Sequence, residues 1–241
     1  MDVNNPESEK VFQVMQNKQK ITAVIPALNE EKTIKDTITR AKPFCDTILV
    51  VLAKRSKDKT NEIARSLGAE IIRDHGKGKG DGMRCAVNEI KDGIIVFIDA
   101  DGSHIPEDIP QIVEPIMEDK ADMVIASRFL GGSEELHGDF GKFLRMFFSM
   151  CIAQIMNWRF RASIMDTQNG FRAIKANSVK ELNLTSNHTE IETEMCMKCY
   201  KKGFKIVEIP SRELKRKFGN SSLSLTGDGP KYLWAVIKNL F

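Results

Sequence analysis

The chain has 241 residues, enough to bury one large α/β core, and its 41% hydrophobic and 29% charged content excludes a disordered polymer. A formal net charge of +3 is too small to argue for nucleic acid as a partner. Five cysteines (45, 85, 151, 196 and 199) form an odd set without framework spacing, which points to a reducing, cytoplasmic compartment.

Residues 1–20 read as a polar lead without a signal-peptide pattern. Strand-like apolar runs then fall at 21–26, 47–52, 70–73, 94–99 and 123–127. Amphipathic helical stretches lie between them at 30–39, 57–67, 80–90 and 106–118, the last opened by Pro106. Five such alternations predict a mostly parallel, doubly wound sheet. Ligands of such sheets bind beyond the carboxyl ends of the strands. The segments 26–30, 53–58 and 99–101 should therefore share one edge.

The fourth run ends abruptly in Asp99-Ala100-Asp101. Period-2 alternation puts both carboxylates on one side of an extended backbone. Such a pair suits a hard divalent cation, Mg²⁺ or Mn²⁺, shared with a substrate diphosphate. The competing reading is a solvated turn after a strand. Beyond residue 130 come a Met- and Phe-rich helical segment at 142–158, a second helix near 190–202, a strand at 205–210 and a basic loop. His137 reads as a solvated loop residue, and Cys196 and Cys199 as small core residues one helical turn apart rather than a metal pair.

Several segments together carry a family resemblance. They are Val-Ile-Pro-Ala-Leu-Asn-Glu-Glu at 24–31, Gly-Lys-Gly-Lys-Gly at 76–80, Asp-Ala-Asp at 99–101 and Ser127-Arg128. Further on come Asp-Thr-Gln-Asn-Gly-Phe-Arg at 166–172, Val-Glu-Ile-Pro at 207–210 and Arg-Lys-Phe-Gly-Asn-Ser at 216–221. In this order, from about residue 21 to about 224, the chain resembles family 2 inverting glycosyltransferases, and within them the dolichyl-phosphate mannosyl- and glucosyltransferases.

The resemblance implies a GT-A fold with a nucleotide-sugar half (about 21–130), an acceptor half (about 131–224) and a C-terminal amphipathic segment at 225–241. It implies a nucleotide-diphosphate sugar donor and a dolichyl or polyprenyl phosphate acceptor. The donor is expected at Pro26, Leu28, Glu30, Ala53, Lys54, Asp99, Ala100, Asp101, Arg128 and Arg216, with Mg²⁺ or Mn²⁺ on Asp99 and Asp101. The acceptor phosphate is expected at Arg145, Arg172, Ser221 and Ser222. Asp166 and Glu192 are the candidate catalytic carboxylates. A phosphate monoester nucleophile is already anionic, with a second pKa of about 6, and needs positioning more than deprotonation. A hydroxyl nucleophile would need one of these bases.

Two departures stand out. Relatives place base-reading aspartates after the second strand, where this chain has Ala53, Lys54 and Arg55. Relatives often carry lysine where this chain has Ser222. No apolar run reaches the ~20 residues needed to span a bilayer. The segments 142–158 and 231–241 are expected to place the protein peripherally at the cytoplasmic face of a membrane, with core packing as the competing reading. A soluble acceptor such as phosphoglycerate, or a degenerate sugar-nucleotide-binding protein, remain the alternatives.

Overall fold

The computed structural model describes residues 19–134, 140–216, 218 and 225–240. The predicted strand runs form β1 (Ile21–Ala27), β2 (Thr47–Leu52), β3 (Glu70–Arg73), β4 (Ile94–Phe97), β5 (Met123–Ser127) and, later in the chain, β7 (Ile206–Pro210). A further strand, β6 (Arg172–Lys175), lies within the second half. It is four residues long and mostly buried, so it offers no alternation to read.

The sheet has seven strands in the order β3-β2-β1-β4-β6-β5-β7. Every pairing is parallel except those of β6, which runs antiparallel between β4 and β5. From β1 the chain goes outward through β2 to β3, then returns to place β4 on the other side of β1. The loops leaving β1 and β4 therefore diverge and open a crevice at the carboxyl edge.

The helices are α1 (Ile34–Ala41), α2 (Thr60–Ser66), α3 (Lys79–Glu89), α4 (Ile109–Met117), the single turn α5 (Arg128–Gly131), α6 (Phe140–Phe160), α7 (Ala176–Glu181), α8 (Ile191–Lys201) and α9 (Leu225–Leu240). The first helix was expected to open at Glu30, yet it begins at Ile34. Asn29 sits in the left-handed region (φ 57°), and the Glu30 carbonyl accepts the N–H groups of Thr33 and Ile34, so a turn precedes the helix.

Strand alternation divides the core between the two faces. Ala23, Ile25 and Ala27 of β1 pack with Ile34, Ile38, Ala64, Ile112 and Ile116 from α1, α2 and α4. Val24 packs on the other face with Met83, Met156, Met195 and Cys199 from α3, α6 and α8. Cys196 and Cys199 are both buried there as free thiols, in keeping with a core role.

Candidate active site

The carboxyl ends of β1 to β4 open onto a cleft of about 370 Å³. Pro26, Leu28 and Glu30 line it from the loop after β1, and Ala53 and Arg55 from the loop after β2. Asp74 and Gly76 follow β3, and Asp99, Ala100 and Asp101 follow β4. Lys79 from the start of α3, Arg128 after β5, Asn169, Gly170, Glu192, Glu213 and Arg216 from the second half, and Tyr232 of α9 complete its lining.

Glu30 is held at the cleft by a local knot. Its N–H donates to Thr60 Oγ1 (2.8 Å), whose hydroxyl donates to Asp58 Oδ1 (2.6 Å). Asp58 Oδ2 accepts the N–H of Glu31 (2.9 Å). Against the lowering hydrogen bond from Thr33, burial and the nearby charges of Asp101 and Asp99 raise the Glu30 pKa above the ordinary carboxylate range.

Asp99 and Asp101 both face this space, each already held by a cation. Lys79 Nζ lies 2.5 Å from Asp99 Oδ1 and 2.8 Å from Glu192 Oε1. Arg216 Nη1 lies 3.2 Å from Asp101 Oδ2. Asp101 Oδ1 accepts the Ser103 hydroxyl (2.6 Å) and N–H (3.0 Å), which fixes the orientation of that carboxylate. His104 Nε2 stands 3.5 Å from Asp99 Oδ2. Burial alone would raise the pKa of Asp99, but Lys79 and His104 outweigh it and hold the group well below its usual range. Burial opposes the charge on Lys79 too, and Asp99 with Glu192 keeps it protonated above its usual value. The second oxygen of Glu192, Oε2, is buried without a hydrogen-bond partner among the described residues.

Two glycines permit this geometry. A Cβ on Gly170 would lie 2.8 Å from both Asp99 Oδ2 and Lys79 Nζ. A Cβ on Gly80 would lie 2.7 Å from the carbonyl oxygens of Ser186 and His188. The first glycine lets the 166–172 segment close over the acid pair; the second lets the start of α3 press against the loop that leads into α8.

Other expected residues stand elsewhere. Asp166 is fully buried and does not line the cleft. Its oxygens take the Arg128 guanidinium (2.7 and 2.8 Å) and the N–H groups of Arg128, Gln168 and Asn169. Its burial is outweighed by that pairing, so its pKa is depressed, and no lone pair is left over for a substrate proton. In this structure Asp166 is spent on holding Arg128.

Arg128 does line the cleft, but Asp166 and Glu213 (3.5 Å) already balance its charge. Arg172, expected at the acceptor phosphate, is fully buried and donates to the carbonyls of Asn169, Glu192 and Thr167. It braces the 166–172 segment against α8. Of the two cations after β2, Arg55 lines the cleft and Lys54 does not; the Lys54 N–H is bonded to Asp74 Oδ1 (2.7 Å). Arg145 falls on α6 with its side chain outside the described set, and Ser221 and Ser222 lie outside the described residues.

Sequence reasoning missed Lys79, His104, Asp74 and Tyr232. Lys79 had a signal, since its ammonium sits inside the glycine-rich run at 76–80. Asp74 and Tyr232 reach the cleft only through strand pairing and helix docking.

Comparisons with known proteins agree with this architecture. Residues 22–182 match the model of glycosyl transferase family 2. The chain is 30% identical over 244 residues to the protein MJ1222 of Methanocaldococcus jannaschii, covering 98% of each. It is 26% identical to the dolichyl-phosphate hexose transferase of Haloferax volcanii, covering 79% of this chain and 81% of that one. Among solved structures it shares its fold with glucosyl-3-phosphoglycerate synthase of Mycobacterium tuberculosis in complex with Mn²⁺, UDP and phosphoglyceric acid. That match has a TM-score of 0.73 at 19% identity, covering 95% of this chain and 82% of that one. With its GT-A-like sheet, its acid pair at the carboxyl edge and a family match over more than half its length, the chain belongs to glycosyl transferase family 2.

Proposed function

We propose that the cleft binds a nucleotide-diphosphate sugar and passes its hexose or N-acetylhexosamine to a polyprenyl-class phosphate with inversion. The observation that carries this reading is the acid pair Asp99 and Asp101 in the strand-end cleft, flanked by Lys79 and Arg216. Hard carboxylate oxygens on one side and two cationic side chains on the other suit a divalent ion with a diphosphate. Asp99 and Asp101 would hold Mg²⁺ or Mn²⁺, which when bound supplies Lewis-acid stabilisation to the leaving diphosphate.

The residues of the chain do the rest. Lys79 and Arg216 present positive charge where the departing diphosphate gains negative charge. An oxygen of the acceptor phosphate bonds to the anomeric carbon as the bond from that carbon to the donor diphosphate breaks. No proton has to move, because the attacking monoester is anionic near neutral pH, with its second pKa at about 6. Glu192, paired to Lys79, orients that ammonium. For a hydroxyl acceptor the free Oε2 would instead be the base. The donor base lies toward Ala53 and Arg55, where Asp74 is the carboxylate lining that end of the cleft.

The acceptor class is supported by the exposed apolar surface. No helix among the described residues is long and apolar enough to cross a membrane. On α6, however, Phe143, Phe147, Met150 and Trp158 are exposed along one stripe, while Ser149, Ala153 and Met156 turn inward. Leu233, Trp234 and Ile237 are exposed on α9, whose Tyr232 enters the cleft. Apolar helix faces beside a phosphate-binding cleft suit an acceptor presented from a lipid surface.

The test is transfer of labelled sugar from UDP- and GDP-sugars with Mn²⁺ and polyprenyl phosphate. A lipid-extractable product is expected, and it is lost in Asp101→Ala. A product found only in the aqueous phase, with a phosphorylated small acceptor, would overturn the lipid reading.

A further inference from the structure

A second group of ligand-class side chains lies outside the donor cleft. His75 follows β3, and Asp81 and Cys85 stand one turn apart on α3. One ligand atom from each of His75, Asp81 and Cys85 lies within 4.8 Å of the other two. Nδ1 is 3.0 Å from Oδ1 and 3.5 Å from Sγ.

These edges are close to those of a tetrahedral zinc face. Zn–N and Zn–O bonds of about 2.0 Å and a Zn–S bond of about 2.3 Å put N and O about 3.3 Å apart, and N and S about 3.5 Å apart. The carboxylate is oriented from behind, because Asp81 Oδ2 accepts the N–H groups of His75 (2.8 Å) and Lys77 (3.4 Å). Arg84 Nη2 also approaches Asp81 Oδ1 (3.3 Å), but that guanidinium is anchored on Asn187 Oδ1 (2.7 Å) and the Thr185 carbonyl (2.8 Å). His75, Asp81 and Cys85 border a cavity of about 390 Å³, which leaves room for a water as fourth ligand.

We propose that His75, Asp81 and Cys85 form a binding site for a zinc-class divalent cation, separate from the Asp99 and Asp101 pair. Imidazole, thiolate and a single carboxylate select a borderline-soft ion over Mg²⁺. The site would tie the loop after β3 to the first turns of α3, the stretch that carries Lys79 into the donor cleft.

The experiment is a Co²⁺ titration of the full chain followed by absorption spectroscopy. One equivalent of Co²⁺ is expected to give a thiolate-to-cobalt charge-transfer band with the visible bands of a tetrahedral ion, displaced by Zn²⁺ and not by Mg²⁺. Cys85→Ser abolishes the charge-transfer band. His75→Ala, a change at an exposed side chain, weakens Co²⁺ binding by more than about 10-fold, the loss typical even of an outer-layer partner. Asp101→Ala leaves the band intact, which separates this site from the donor cleft. Absence of the band, or a band that survives both Cys85→Ser and His75→Ala, would overturn the proposal. In that case the three groups are only a hydrogen-bonded cluster.

Discussion

Lys79 is paired to two carboxylates at once, and its loss has two separable effects. Lys79→Met leaves Glu192 buried without its cation, and breaking such a pair costs about 3–5 kcal/mol. Donor affinity should fall as well, read by calorimetry with a nucleotide sugar and Mn²⁺ at a temperature where the variant is still folded. Arg172→Met should act on stability alone. It strands the carbonyls of Asn169 and Thr167, at about 1–3 kcal/mol for each buried group left unsatisfied. Chemical denaturation would show that loss, while the acceptor KM of the folded fraction stays unchanged; a raised KM with normal stability would restore Arg172 to the acceptor site.

Two carboxyls set opposite pH behaviour. Arg128 depresses the native pKa of Asp166, so its contribution is complete above the unfolded value of about 3.9 and is lost as pH falls through the native value. Asp166→Asn should flatten that acid limb of a Tm-against-pH curve. Glu30 is the reverse case. Its native pKa is raised, so ionised Glu30 costs stability once pH rises through the native value. Glu30→Gln should raise Tm at neutral pH, have no such effect below about pH 4, and weaken donor binding.

Among the elements, α3 depends on close approach. Gly80→Ala would drive a methyl group to 2.7 Å from two carbonyl oxygens of the 186–188 loop, and overpacking of this kind costs about 1–3 kcal/mol. Because the same contact places Lys79, donor affinity should fall with the loss in stability. On α6 the exposed stripe predicts the opposite split. Phe147→Glu together with Trp158→Glu should leave Tm within about 0.5 kcal/mol-equivalent of the parent, as surface changes do, while abolishing flotation with anionic vesicles. Unchanged flotation would remove the membrane-facing role of this helix.

For the protein as a unit, the donor cleft should act as a stabilising linkage. A nucleoside diphosphate with Mn²⁺ at about 100-fold over its Kd adds about 2.7 kcal/mol, and EDTA should remove that gain. The parallel strands, their helices and the acid pair could all be read in advance, because apolar runs, helical periodicity and a strand ending in two carboxylates are local patterns along the chain. The same locality hid β6, whose four residues form a strand only because β4 and β5 flank it. It also left the surroundings of Asp166 and Arg172 unread, both of them fully buried. A motif reveals which residue types occur together, but whether a charged side chain faces solvent or is spent on a neighbour depends on contacts between segments 20 or more positions apart, such as Arg128 with Asp166 and Arg172 with Glu192. Lys79 between Asp99 and Glu192 is another such case, joining α3, the end of β4 and α8. Residue chemistry and spacing were thus enough to name the fold and its acidic edge, whereas the pairing of the buried charges around the cleft was set by packing, since there each charge out of water finds its partner in space rather than along the chain.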